Sequence, residues 1–447
     1  MTVDRVQPLE GIHIIDLSWV WAGPAATRIL ADLGASVIKI EPPHRPDSVR
    51  ALVQYQNENW DEYWDYGGYF IEKNLGKRGM TLDLAHPDGK EIFLELVRRA
   101  DVLVESFSPR VMPQLGLGFD ELAQVKPGLV YVSMSGYGHT GPKRNRPAYG
   151  AALEGEAGIT TTIGYVDGPP VKSGLAYSDP LSGVLAAGAI MDALANQAAE
   201  DQPEAVHLDI SERDVIIPFV SEYIAGYQLQ QGEPRRQGNR NAAYVPQGCF
   251  ECAEPNSWVA ISARSDEEWV ALSGAMGRAD LADLTYPERQ TRMAELETIL
   301  AEHCRNRDAR ELMGELQEAG VPAAVVQTGK DLLADQQLRQ RSFFGSVDQP
   351  GIGVLDYPRF LAATFENFDA IPRKPAPQLD EHTDEVLKEL GLSDERIREL
   401  YELGVCGHQL ESGSRTNLSL PLDLLLEIGA VSHVDPIDGA GSGHANR

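Results

Sequence analysis

An open α/β domain with a parallel sheet, joined to a second and smaller α/β domain, is the fold the sequence predicts. Three observations carry that expectation. Short apolar, β-rich runs alternate with helix-period segments through the first third of the chain, the rhythm of repeated βαβ units. From about residue 250 the rhythm changes to short strands and amphipathic helices. The 447 residues also exceed what one compact core organises.

The elements follow in order. "GIHIIDLS" (11–18) reads as a buried strand, "GPAATRILADLGA" (23–35) as a helix with Pro24 in its first turn, and "SVIKIEPP" (36–43) as the next strand. The pattern recurs as "GMTLDL", "HPDGKEIFLELVRRA" and "DVLVESF", then as "FDELAQVKPG" and "GLVYVSMSGYG". A helix is expected over 180–199, a polar break at "NQAAEDQPEAVH", and then a short strand and helix in "LDISERDVIIPFVSEYIAGYQLQ". The Gly-, Pro- and Arg-rich stretch 232–248 reads as a loop bordering a site. Beyond about 408 the chain is expected to be loosely ordered.

Charge and cysteine usage narrow the function. With 67 acidic and 39 basic side chains, the net charge of -28 opposes binding to nucleic acid or to anionic membranes. No apolar run approaches the roughly 20 residues that span a bilayer. "MTVDRVQPLEG" has no secretory pattern, so a cytoplasmic protein is expected. Four scattered cysteines fit a reducing compartment, and "CFEC" (249–252) lacks the second ligand pair that a zinc site needs. No metal site is expected.

Several motifs resemble catalytic signatures and lack their context. "GYGHTG" (136–141) satisfies GxGxxG but runs into "PKRNRPAYG", a loop and not a helix. "VSMSG" does not match the GxSxG elbow. Two loops do suit an anionic ligand: "WVWAGP" (19–24), leading from the first strand into a helix, and "NLGKRG" (74–79), with Lys77 and Arg78 between glycines. In "AYSDPLSG", Asp179 precedes Pro180 and fits a helix N-cap. A carboxylate there is also kept ionised by the helix dipole, and an aspartate with a reference pKa of about 3.9 is a nucleophile that needs no general base. The residues alone leave both roles open.

The ordered segments "LEGIHIIDLSWVWAGPAATRILADLGASVIKIEPP", "NLGKRGMTLDLAHPDGKE", "DVLVESFSPRVMPQLGLGFDEL", "VYVSMSGYGHTGP", "DGPPVKSG", "AYSDPLSG", "AGVPAAVVQT" and "PAPQLDEHTDEVLKELGL" resemble the class III CoA-transferases over residues 8–408. That group includes the formyl-CoA, carnitine and benzylsuccinate CoA-transferases and, as a divergent relative, alpha-methylacyl-CoA racemase. The resemblance implies a Rossmann-like large domain, its N-terminal part at 1–200, followed by a linker at 201–225 and a small domain at 226–330. A return segment at 331–408 would complete the large domain, leaving 409–447 as a tail. It further implies an interlocked homodimer, or a hetero-oligomer with a related chain.

Carried over by position, the resemblance makes Asp179 the nucleophile that attacks the thioester of an acyl-CoA. It makes Trp19, Val20, Trp21, Ala22, Asn74, Lys77, Arg78, Ser106 and Phe107 the residues that contact CoA. Coenzyme A and its acyl thioester are then substrates, no cofactor is tightly bound, and the acceptor is a small carboxylic acid, with succinyl-CoA an expected donor. The chain departs from formyl-CoA transferase at Pro42 and in "GNRNAAYVPQG". The wording nearest to benzylsuccinate-type enzymes inclines the acceptor towards a hydrophobic or aromatic acid. Where the racemase has its His-Asp pair this chain has Tyr149 and Gly150, so the rival activities are racemisation without that base, or a non-catalytic CoA-binding subunit.

Overall fold

The strands of the first third assemble as the alternation requires. In the computed structural model, which describes residues 7–52, 64–230, 232, 235–359 and 374–408, β1 (His13–Asp16), β2 (Ser36–Glu41), β3 (Arg78–Thr81), β4 (Val102–Glu105), β5 (Val130–Ser135) and β6 (Val206–Ser211) form one sheet. Its order is β3-β2-β1-β4-β5-β6 and every pair is parallel. Strands in such a sheet are covered on both faces, which is why β4 (VLVE) and β5 (VYVSMS) are mostly apolar and buried throughout. The strand order reverses between β1 and β4, and the loops leaving those strands open the crevice where sheets of this kind bind ligands.

Three of these strands close on a buried carboxylate: Asp16 on β1, Glu41 on β2 and Glu105 on β4. The helix Ala22–Asp32 returns the chain from β1 to β2, and the helix Pro87–Arg99 leads into β4 with proline at its start and Arg98 and Arg99 in its last turn. "GYGHTG" follows β5 as a turn, and the His139 amide is held by Asp209 at 2.9 Å.

The chain divides into two compact units. One comprises the described residues within Met1–Arg146, Asp179–Ser211 and Phe344–Arg447, the other Pro147–Ser178 and Glu212–Phe343. In the first, β10 (Phe344–Gln349) and β11 (Gly353–Pro358) form an antiparallel hairpin, and the helices Thr383–Glu389 and Asp394–Glu402 bury Val386, Leu387 and Leu400 in the same core as Ile15 and Leu103. In the second, an antiparallel sheet of β7 (Gln247–Glu251), β8 (Trp258–Ser262) and β9 (Ala323–Val325) packs on helices around Trp269 and Leu312. The "CFEC" thiols are unpaired, with Cys249 on β7 and Cys252 buried at its end.

These bounds differ from the sequence reading in three places. Residues 147–178 belong to the second unit, because the helix Gly150–Glu156 packs on the helix Glu212–Ile216, with Leu153 and Ile216 buried. For the same reason 212–225 is part of that unit and not a linker. The return to the first unit comes at Phe344 and not at 331, because Asp331 is tied to Arg310 at 2.6 Å. The expected tail, 409–447, lies outside the described residues.

Candidate active site

The loop after β1 is held in a conformation that its sequence resists. Val20 is β-branched yet has φ of 68°, a left-handed geometry that costs about 1–3 kcal/mol. Its amide donates to both Asp47 oxygens at 3.2 and 3.1 Å, and the buried Asp47 is paired with Lys39 at 3.1 Å. Next to it the Trp19 amide donates to the Ser106 hydroxyl at 2.9 Å, and the Trp19 ring meets Phe107 edge-on at 6.0 Å. The Phe107 amide in turn donates to Glu105 at 2.8 Å. Trp19, Val20, Ser106 and Phe107 thus converge at the strand-order reversal, with the Arg45 guanidinium 5.7 Å from the Trp19 ring centre.

A buried ionic joint lies beneath this loop. Asp16 accepts from the Ser18 and Thr27 hydroxyls at 2.5 and 2.7 Å and from Lys77 at 2.9 Å. Burial raises its pKa, but Lys77, Lys39 and the two hydroxyls outweigh burial and bring it down to about 2. The Lys77 ammonium also donates to the Pro24 carbonyl at 3.1 Å and to Asn74 Oδ1 at 2.8 Å. Burial lowers it to about 8 even with Asp16 opposing. Asn74 and Lys77 therefore do come together, but as internal support for the loop. Arg78 enters β3 on the other side and pairs with Glu385 and Glu389 at 2.9 and 2.7 Å. The two cations expected to converge on phosphate are engaged with different partners, Lys77 with buried Asp16 and Arg78 with Glu385 and Glu389.

Asp179 sits in the first turn of the helix Ser178–Gln197, not ahead of it, so the expected cap position is corrected by two residues. A carboxylate in a first turn remains favourable to the helix dipole. Gly183, one helical turn on and on the same face, fixes where this turn lies. A Cβ at Gly183 would come within 2.8 Å of the Ala22 carbonyl oxygen and of Ala25 Cβ, so only glycine lets the helix close on the start of Ala22–Asp32. Residues leading into the turn are held by buried Glu154, which accepts from the Ser173 hydroxyl and the Tyr177 amide at 2.7 and 2.8 Å.

The helix Gly68–Asn74 supplies residues that the sequence reading did not single out. Burial, and then the Asp179 charge, push the Tyr69 phenol well above its ordinary pKa. The Tyr69 and Trp21 rings meet edge-on at 5.6 Å. Lys73, four residues on, has its ammonium 4.8 Å from the Trp21 ring centre and 5.0 Å from that of Tyr69. Burial, with Arg28 adding to it, brings Lys73 down to about 7. The i,i+4 spacing of Tyr69 and Lys73 was the available signal.

The chain belongs to CoA-transferase family III, whose model matches residues 9–383. It is 34% identical over 394 residues to the succinyl-CoA:mesaconate CoA-transferase of Haloarcula marismortui, a match covering 86% of this chain and 96% of that protein. It is 31% identical over 401 residues to the succinyl-CoA–L-malate CoA-transferase beta subunit of Chloroflexus aurantiacus, over 88% and 96%. A solved structure of a CaiB/BaiF family protein from Brucella suis aligns with a TM-score of 0.77 at 29% identity, over 86% of this chain and 99% of that one. The chain is a class III CoA-transferase, an enzyme that moves CoA between an acyl-CoA and a carboxylic acid.

Proposed function

We propose that this enzyme transfers CoA from succinyl-CoA to a short dicarboxylic acid, with Asp179 as the covalent carrier. The observation that supports it most is the placement of the Asp179 turn, seated by Gly183 on the loop end at Ala22, next to Trp21 in the chain. An Asp179 oxygen attacks the thioester carbonyl, the C–S bond breaks, and CoA leaves as thiolate with an acyl-aspartyl anhydride formed. The thiolate returns to the aspartyl carbon, releasing the donor carboxylate and leaving an aspartyl-CoA thioester. The acceptor carboxylate displaces the thiolate from that thioester, and thiolate attack on the acceptor's acyl carbon frees acyl-CoA and restores Asp179. Every bond is made between carboxylates and a thiol, so the scheme uses no tightly bound cofactor.

The loop Trp19–Ala22 with Ser106 and Phe107 is the CoA-facing wall in this reading. Lys77 and Asn74 support it from below, Arg78 anchors the helix Thr383–Glu389, and the Arg45 guanidinium stands 5.7 Å from the Trp19 ring centre of the wall. The donor and the acceptor class follow the relatives, whose names carry mesaconate and malate, and replace the hydrophobic or aromatic acid expected from the sequence. Assembly is read as an interlocked homodimer, and unpaired thiols support a cytoplasmic setting. The beta-subunit relative favours one second reading, a chain active only with a different partner.

The test is transfer from succinyl-CoA to a panel of acids by the purified chain. Product with dicarboxylic acids, lost in Asp179→Asn, supports the reading. Solvent deuterium entering the acyl-CoA without transfer would replace it by racemisation, and activity only after adding a related chain would replace it by the subunit reading.

A further inference from the structure

We propose that Lys73 selects dicarboxylic acyl groups, its ammonium and the Trp21 indole N–H receiving the carboxylate that does not react. The inference rests on the reading of Asp179 as the centre of CoA transfer, and it adds where on this chain the far end of the acyl group is held.

Three observations carry it. Trp21 directly precedes Ala22, on which Gly183 seats the Asp179 turn, and Tyr69 and Lys73, one turn apart on the helix Gly68–Asn74, both meet the Trp21 ring. The ammonium is walled by two aromatic rings, at 4.8 Å from the Trp21 ring centre and 5.0 Å from that of Tyr69. On the same Trp21 ring, Nε1 is buried and makes no hydrogen bond within the described residues. A buried donor left unmade is costly, and an anion beside the ammonium would satisfy it.

The surrounding charges fit an exchangeable site. Lys73 is ion-paired with its neighbour Glu72, whose side chain is partly exposed and can give way to an arriving carboxylate. Arg28, the other cation nearby, is engaged with Asp32 at 2.9 Å and with the Glu72 and Pro358 carbonyls at 2.5 and 3.2 Å. An acyl group joined to Asp179 would run its methylenes along the Tyr69 and Trp21 rings and end at Lys73. A monocarboxylic group of the same length would leave both the ammonium and the indole N–H without that partner, and sites built around a polar group reject analogues lacking it.

The experiment compares succinyl-CoA with butyryl-CoA in the wild type, Lys73→Met and Lys73→Arg. We expect the wild type to favour succinyl-CoA in kcat/KM by about tenfold or more, as charge-assisted hydrogen bonds warrant. Lys73→Met should erase that preference by lowering the succinyl value about tenfold more than the butyryl value, and Lys73→Arg should keep it. Equal loss on both thioesters in Lys73→Met, or no preference in the wild type, overturns the proposal. Calorimetric titration of the two thioesters reads the same ratio without turnover. Activity retained in Asp179→Asn would therefore fail the nucleophile and leave the Lys73 ratio still measured.

Discussion

Lys77 and Arg78 are adjacent in the chain and opposite in use. Lys77 completes a fully buried pair with Asp16, so removing it strands a carboxylate in the interior. Lys77→Ala should therefore cost about 3–5 kcal/mol of stability. Arg78 pairs with two glutamates that are about half exposed, and Arg78→Ala should cost about 1 kcal/mol or less. Chemical denaturation of the two variants checks this. A Lys77→Ala protein of wild-type stability that binds CoA poorly would instead return Lys77 to the phosphate-binding role expected from its loop. Sequence reasoning could not separate these roles, because the Asp16 that holds Lys77 lies 61 residues away. Asp47, which fixes Val20 from 27 residues away, was hidden for the same reason.

At the level of elements, the strands and helices were legible because their signals are local: apolar runs for a parallel sheet, and proline at the starts of the helices Ala22–Asp32 and Pro87–Arg99. The junction of two helices was not. Gly183 reads as an unremarked helix glycine until Ala22 and Ala25 are brought against it. Gly183→Ala places a methyl 2.8 Å from the Ala22 carbonyl oxygen and must push the helices apart. Overpacking of this kind costs about 1–3 kcal/mol. Because Asp179 lies one turn away, transfer should fall by at least about tenfold while the variant still melts cooperatively, given how sharply catalysis depends on sub-ångström placement. Wild-type transfer in a folded Gly183→Ala protein would show that the junction does not position the carboxylate.

For the whole molecule, one chain leaves a helix uncovered. The helix Ser221–Gln228 has no buried residue, and Phe219, Tyr227 and Leu229 around it are 62%, 66% and 71% exposed. Apolar surface of that kind marks an interface. A homodimer that persists on dilution is expected, and sedimentation showing a concentration-dependent monomer in native buffer would contradict the interlocked assembly. The division of the chain into units was only partly legible: the change of rhythm near residue 250 signals a second core, but the excursion at 147–178 is set by its packing on Glu212–Ile216, a partner distant in sequence.

Asp179 is proposed to carry first the acyl group and then CoA. Incubating the wild type with succinyl-CoA, trapping with hydroxylamine and reading the peptide that contains residues 174–183 by mass spectrometry tests it most directly. An aspartyl hydroxamate is expected at Asp179, absent without thioester and absent in Asp179→Asn, which still folds because losing one first-turn charge costs only about 0.3–1 kcal/mol. An unmodified Asp179 in a preparation that is transferring CoA would contradict it.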